Sequence, residues 1–292
     1  MLDYLLHLLT FTNSIFHCSG YPELNIVYTF TLIPILDQVL PRASIPPRKS
    51  NLYFDVLLLV YYPLIIICFL KTQNTLIDYF SLGIIYGQGI NVAHELIHKR
   101  GFNKGIGICT LYFLCYGHWY YQHTKGHHIN VGLEKDPATA PRDMTVYQFI
   151  PRCIYGEFSQ AWDIDKGKTL YSMLFSGFLL LILKNGFCHL VACIIGIVFL
   201  QIINYVEHYG ATRKIDEKVT TLHSWDSDSV FSTYALFKLP YHADHHTNAI
   251  KPYRELELKE KSRKLPFGYP AMMIISLIPP LFFRLIHPIL EQ

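Results

Sequence analysis

Charge is scarce in this chain. Asp, Glu, Lys and Arg make up 16% of its 292 residues, against roughly 25% in soluble globular proteins. That shortage excludes an ordinary soluble domain. The formal net charge of +3 is too small to track a phosphate backbone, which excludes a nucleic-acid partner. The seven cysteines, Cys18, Cys68, Cys109, Cys115, Cys153, Cys188 and Cys193, contain no C-x-x-C pair. No thiolate iron centre is therefore fused to the chain, and buried free thiols are expected in place of a disulfide framework. The N-terminus lacks a basic n-region and a small-residue cleavage site, so it reads as a retained membrane segment and not a removed signal peptide. Internal repeats and low-complexity tracts are also missing.

Apolar surface is what the chain has in excess. Hydrophobic residues reach 51%, with 21 Tyr and 19 Phe suited to membrane–water interfaces. Six stretches, approximately 1–17, 24–40, 51–70, 75–94, 169–184 and 186–206, approach the roughly 20 helical residues needed to cross a bilayer. The first and fifth are short and fit locally thinned lipid. Arg42, Arg48 and Lys49 lie in one short loop and Lys99, Arg100 and Lys104 in another, while the intervening loops hold only Glu23 and Lys71. Basic short loops stay cytosolic, which puts both termini on the cytosolic side. The expected fold is all-α: a single integral-membrane domain over 1–292, a multi-span bundle of about six helices. Segments 95–168 and 207–292 form a cytosolic histidine-rich cap. Residues 105–117 are too short to span and read as a re-entrant or surface-lying helix. Residues 268–287, with Pro270, Pro279 and Pro280, read as a broken interfacial helix.

Nine of the 15 histidines fall in four segments on that cytosolic side. His94 and His98 stand at i, i+4, so a helix projects both rings from one face. His123 and His127 repeat the spacing, with His128 adjacent and Gly126 allowing close backbone approach. His242, His245 and His246 form a third ridge, and His208 adds a lone ligand after the last span. Nine imidazoles exceed one ion's capacity, so two ions taking four or five each are expected, with iron leaving a position for oxygen. Glu95, Asp136, Glu207 and Asp244 are candidates to accept the second ring N–H. His7, His17, His189 and His287 read as packing or interfacial residues, and His118 and His223 as supporting ones. Taken alone, His94-Glu95-x-x-His98 is also a zinc-protease motif with Glu95 as general base, but it leaves seven histidines unexplained. The stretch 251–264, with Lys251, Arg254, Lys259, Lys261, Arg263 and Lys264, reads as a face on anionic lipid or a dock for an acidic carrier.

The boxes His94-Glu95-x-x-His98-Lys99, His123-x-x-Gly126-His127-His128, Asn204-Tyr205-x-Glu207-His208-Tyr209-Gly210 and His242-x-Asp244-His245-His246 resemble those of integral-membrane alkane 1-monooxygenases. These form the alkane hydroxylase and xylene monooxygenase branch of the membrane fatty acid desaturase-hydroxylase superfamily. Asp136-Pro137-Ala138-Thr139 and His223-Ser224-Trp225 add to the resemblance, which covers about residues 24–287. It implies six spans, a non-haem di-iron centre held by the nine histidines, and O2 activation with electrons from rubredoxin and its reductase. The implied reaction is hydroxylation of a terminal C–H of an alkane or similar chain, in a bacterial inner membrane or endomembrane. A membrane fatty-acid desaturase or hydroxylase is the nearest rival. A substrate tunnel between the second, third and fourth spans is expected. Gln122, Pro240-Tyr241 and Ala211 depart from the family's usual residues without removing a ligand position.

Overall fold

The computed structural model describes residues 6–49 and 52–291. Residues 1–5 of the first expected span and residue 51 of the third lie outside the described residues. The chain is overwhelmingly helical, and the one sheet among the described residues is a parallel pairing of Trp225–Asp226 with Arg263–Lys264.

Each apolar stretch forms helix where it is described. The first is a 3-10 turn, His7–Phe11, running into Thr12–Cys18, and the second runs from Pro22 to Val39 through a π turn at Tyr28–Leu32. The others are Leu52–Lys71, Leu76–Ile97, Lys166–Ile182 and Gly186–His208. Local chemistry sets the boundaries. Thr75 and Asp78 form a reciprocal capping box at the start of Leu76–Ile97, and Thr145 and Gln148 do the same for Val146–Ile164. By length and apolarity, Leu52–Lys71 and Gly186–His208 can cross a membrane.

The Leu76–Ile97 and Gly186–His208 helices form the spine of the molecule. A Cβ on Gly196 would stand 2.9 Å from the Gly87 nitrogen, so the two backbones approach as small residues alone permit. Their C-terminal ends therefore bring His94 and His208 to one level. Gly196→Val is expected to lower the melting temperature by several degrees through overpacking, readable by thermal scanning in detergent.

The Gly101–Phe113 helix packs along Leu76–Ile97, where a Gly107 Cβ would sit 3.0 Å from the Ile97 nitrogen. The chain then reverses at Cys115, whose φ is 57°, and returns toward the histidines. The C-terminal stretch is broken into Tyr269–Ser276 and Pro279–Leu290. Phe282 packs on Tyr205 and Tyr209, with ring centroids 5.0 Å from each, so this stretch is a packed wall of the bundle.

The basic stretch 251–264 differs from expectation. Lys251 and Lys259 pair with Asp244 at 2.7 and 3.0 Å. Arg254 is buried 3.9 Å from the Phe54 ring centroid, and Arg263 donates to the Leu222 carbonyl. Most of this positive charge is consumed inside the fold and offers little free face to lipid or to a carrier.

Candidate metal centre

The nine histidines converge into two groups. One contains His94, His98, His123, His128 and His245; the other contains His127, His208, His242 and His246. Within each group, one ring nitrogen per residue lies within 4.8 Å of all the others. Neighbouring Nε2 atoms stand 2.9 Å apart for His94–His245 and His123–His128, and 3.2 Å for His98–His123. In the second group the separations are 3.0 Å for His242–His246, 3.1 Å for His208–His242 and 3.2 Å for His127–His246.

Local helix geometry explains the sorting. His94 and His98, one α-turn apart, join the same group, as do His242 and His246. The segment His123–His127 is instead a π turn, whose longer repeat aligns His123 with His128 and frees His127 to face the other group. The i, i+4 pairing of His123 with His127 expected from sequence is thereby replaced by an i, i+5 pairing.

The donor set fits a pair of metal ions. Metal–imidazole bonds of about 2.1 Å put adjacent ligand nitrogens about 3.0 Å apart and opposite ones about 4.2 Å apart, which is the spacing found in both groups. Proton placement agrees. His208 Nδ1 stands 3.2 Å from the His223 carbonyl, which can only accept, so its Nε2 carries a lone pair. His127 Nδ1 likewise faces Asp136 at 3.0 Å. Burial holds the imidazoles of His123, His128, His242, His245 and His246 well below the ordinary histidine range, and His98 down to about 4. The rings are neutral, as ligation requires.

The four carboxylates expected behind these rings do not share one role. Burial alone would raise Asp136, but His127 and the Thr139 hydroxyl at 2.7 Å outweigh it and hold the carboxyl below its ordinary value. Asp136 is thus an ionised acceptor for His127. Glu207 Oε2 lies 3.3 Å from His242 Nε2, on the ligating edge of the ring and not behind it. Glu95 accepts from the Tyr253 backbone N–H at 3.2 Å and lies 3.8 Å from the Lys99 ammonium. Asp244 binds Lys251, Lys259 and the Glu257 backbone N–H. Adjacent helical residues point about 100° apart, so Glu95 and Asp244 turn away from the rings beside them. Glu95 is therefore misplaced to act as a protease base.

The remaining histidines pack. His118 lies between Tyr116 and Phe158, with centroids at 4.7 and 5.7 Å. His223 Nδ1 accepts from the Thr220 N–H, and His7 stacks among Phe54, Tyr234 and Phe237. His17, His189 and His287 are hydrogen-bonded to Ser81, Tyr86 and Tyr209. Cys115, His189 and Cys193 form a third cluster, but both His189 nitrogens already bond Tyr86 and the Phe113 carbonyl.

Sequence reasoning missed the support behind His123. Trp119 stacks on that ring, with centroids 4.3 Å apart, and its indole N–H donates to Glu157 at 3.1 Å. Tyr116 donates to the same carboxyl, as does Gln201 at 2.7 Å. The i, i+4 spacing of Trp119 and His123 was a usable signal. Glu157, inside an amphipathic helix, had none. Burial raises Glu157 from 4.5 to about 7 against those three donors. The folded state therefore keeps this proton while the unfolded chain releases it, so stability falls as pH rises from about 4.5 to about 7, by roughly 3 kcal/mol. Glu157→Gln is expected to be less stable than wild type at pH 5 and to close that gap by pH 8, in melting temperatures measured across the range.

A mostly apolar cavity of ≈ 120 Å³ is lined in part by His94 and His242, one ring from each group. Its walls include Leu9, Tyr28, Ile33, Ile84, Leu200 and Ile203. The second and fourth apolar helices line it as expected. The third contributes no lining residue among those described, and the sixth takes its place, because the Gly87–Gly196 crossing sets that helix beside His94.

Residues 74–273 match the fatty acid desaturase family. The chain belongs to this family. Alkane 1-monooxygenase 1 of Pseudomonas aeruginosa is 29% identical over a stretch covering 90% of this chain and 81% of that protein. Alkane 1-monooxygenase 1 of Alcanivorax borkumensis is 30% identical, covering 89% and 75%. The xylene/toluene monooxygenase hydroxylase component XylM of Pseudomonas putida is 23% identical, covering 93% and 83%. As a desaturase-family member in the alkane monooxygenase branch, the chain is an oxidoreductase. Its departures from the branch leave the histidine groups whole. Gln122 donates to Gln160 at 3.2 Å, and the Tyr241 hydroxyl accepts from the Ile45 N–H at 2.6 Å.

Proposed function

We propose that this chain is a multi-pass membrane di-iron monooxygenase that hydroxylates the terminal carbon of a hydrophobic chain. The convergence of nine imidazoles into two groups, with His94 and His242 lining an apolar cavity, carries this reading. His94, His98, His123, His128 and His245 hold one ion, and His127, His208, His242 and His246 hold the other. When bound, two irons supply the power to activate O2 and break an unactivated C–H bond.

The residues of this chain do the rest. A substrate partitions from lipid into the cavity, whose apolar walls align it and exclude water. Where the cavity meets His94 and His242, the tip of an extended chain reaches the centre before its interior does, which selects a terminal carbon. Glu207 lines the same cavity beside His242 and can hold a proton next to the reacting carbon. Asp136 fixes the His127 ring, and Trp119 with Glu157 fixes the His123 ring.

Six membrane-embedded helices in a single domain, both termini and the histidine cap cytosolic, fit the loop charges and leave the centre open to a soluble donor. Electrons come from a rubredoxin-type carrier and its reductase, because this chain has no C-x-x-C centre of its own. Metal analysis of the purified protein should give about two irons per chain, with O2-dependent terminal alcohol formed from dodecane when rubredoxin and its reductase are added. Zinc in place of iron, or a desaturated product, would overturn this reading.

A further inference from the structure

The cavity wall is not wholly apolar. Four carboxamides line it: Asn13, Gln88, Asn91 and Asn204. Their partners settle which way each points. Gln88 Nε2 donates to the Ala235 carbonyl at 3.2 Å and Asn91 Nδ2 to the Leu236 carbonyl at 3.0 Å, and a carbonyl can only accept. Asn204 Nδ2 donates to Gln201 Oε1 at 3.0 Å, while the Gln201 amide nitrogen is committed to Glu157 at 2.7 Å. Asn13 Nδ2 donates to Thr29 Oγ1 at 3.2 Å, whose own hydrogen goes to the Asn25 carbonyl at 2.9 Å.

Each side-chain nitrogen is thus held by protein, which leaves the four side-chain carbonyl oxygens. None receives a hydrogen bond from the described residues, and none is among the fully enclosed unpartnered atoms. They keep accessible surface on residues that line the cavity, and so are available as acceptors. An unadorned alkane would strip these oxygens of water and return nothing, which is unfavourable for buried acceptors. A molecule bearing an O–H group would donate its one hydrogen to one of them.

We propose that the cavity takes a hydrophobic molecule that already carries a hydroxyl group, with its one O–H hydrogen donated to the Gln88 or the Asn91 side-chain carbonyl. This rests on the proposed reading of the cavity as the substrate site. Gln88 precedes His94 by six residues on one helix, about 9 Å along its axis. A hydroxyl held there belongs to a different carbon from the one at the histidines. The class is therefore long-chain or cyclic alcohols oxidised at a position remote from the existing oxygen.

Binding, not turnover, tests this. Dissociation constants of dodecanol, dodecane and dodecyl methyl ether would be measured with the detergent-solubilised, iron-loaded protein. The ether keeps the oxygen and the length but has no hydrogen to donate. Dodecanol is expected to bind about tenfold tighter than either comparator. In whichever of Gln88→Met and Asn91→Leu removes the acceptor used, that preference should shrink to less than about twofold while dodecane binding holds or tightens. Ether binding equal to alcohol binding in the wild-type protein, or an unchanged preference in both variants, overturns the proposal. The wild-type comparison needs no variant to fold. The oxygenase reading fails separately: an intact alcohol preference with no O2-dependent product from any probe sinks that reading alone, and product from dodecane without an alcohol preference sinks only this one.

Discussion

His208→Ala is expected to abolish turnover, by at least about a hundredfold, and to lower iron from about two per chain toward one. The side chain is one of only four rings in the smaller histidine group. Its Nδ1–H is held by the His223 carbonyl, with the Ser224 hydroxyl 3.4 Å away, which fixes the ring with Nε2 toward the group. Three ligands on one side would leave that ion weakly held, while the five-membered group keeps its own. The protein should still insert and fold, because the two helices that carry the fold's spine meet at Gly87 and Gly196 and not at the histidines. His118→Ala is the control. That ring sits between Tyr116 and Phe158 and belongs to neither group, so iron content should stay at the wild-type value. Iron analysis of both variants checks the expectation, and a His208→Ala protein with full iron would remove this residue from the centre.

Lys238→Met is expected to be the most destabilising single change, lowering stability by roughly 3–6 kcal/mol. Lys238 is fully buried, and its ammonium donates to the carbonyls of Ile45, Pro46, Arg254 and Leu256 at 3.0–3.4 Å. One charged group thereby ties together two segments far apart in the chain, 45–46 and 254–256. A methionine of similar length fills the space and takes this donor from the Ile45, Pro46 and Leu256 carbonyls, each at a penalty of about 1–3 kcal/mol before relaxation, while the Arg254 carbonyl keeps the Arg48 N–H at 2.8 Å. The consequence reaches the metal centre, since Tyr253, adjacent to Arg254, holds Glu95 through its backbone N–H. Lys238→Arg should not rescue the loss, because a planar fork cannot address carbonyls arranged around a point. Melting temperatures in detergent, expected to fall by about 10 °C or more in both variants, provide the check.

Much of the fold was legible because apolar stretches mark helices, of which Leu52–Lys71 and Gly186–His208 are long and apolar enough to cross a membrane. All six apolar stretches are helical where described, and the break before Pro279 falls where a missing N–H and the ring of proline demand it. The site was legible for a related reason: histidine is rare, and i, i+4 spacing on a helix has one geometric meaning. Where the backbone departs from α geometry, the reading of spacing departs with it, as at the π turn that pairs His123 with His128. Charge misled in the stretch 251–264, because a lysine in the sequence carries no sign of whether an aspartate such as Asp244 lies beneath it.

Sequence alone determined the helical class, the set of nine histidines and the family, since these depend on residue type and on spacing along one helix. Tertiary structure decided how those histidines divide into five and four, which carboxylates stand behind them, and which helices enclose the cavity. Those outcomes depend on how separate helices approach one another. Gly87 against Gly196, the reversal at Cys115 and the buried Lys238 set that approach through contacts between residues far apart in the chain, which no local pattern encodes.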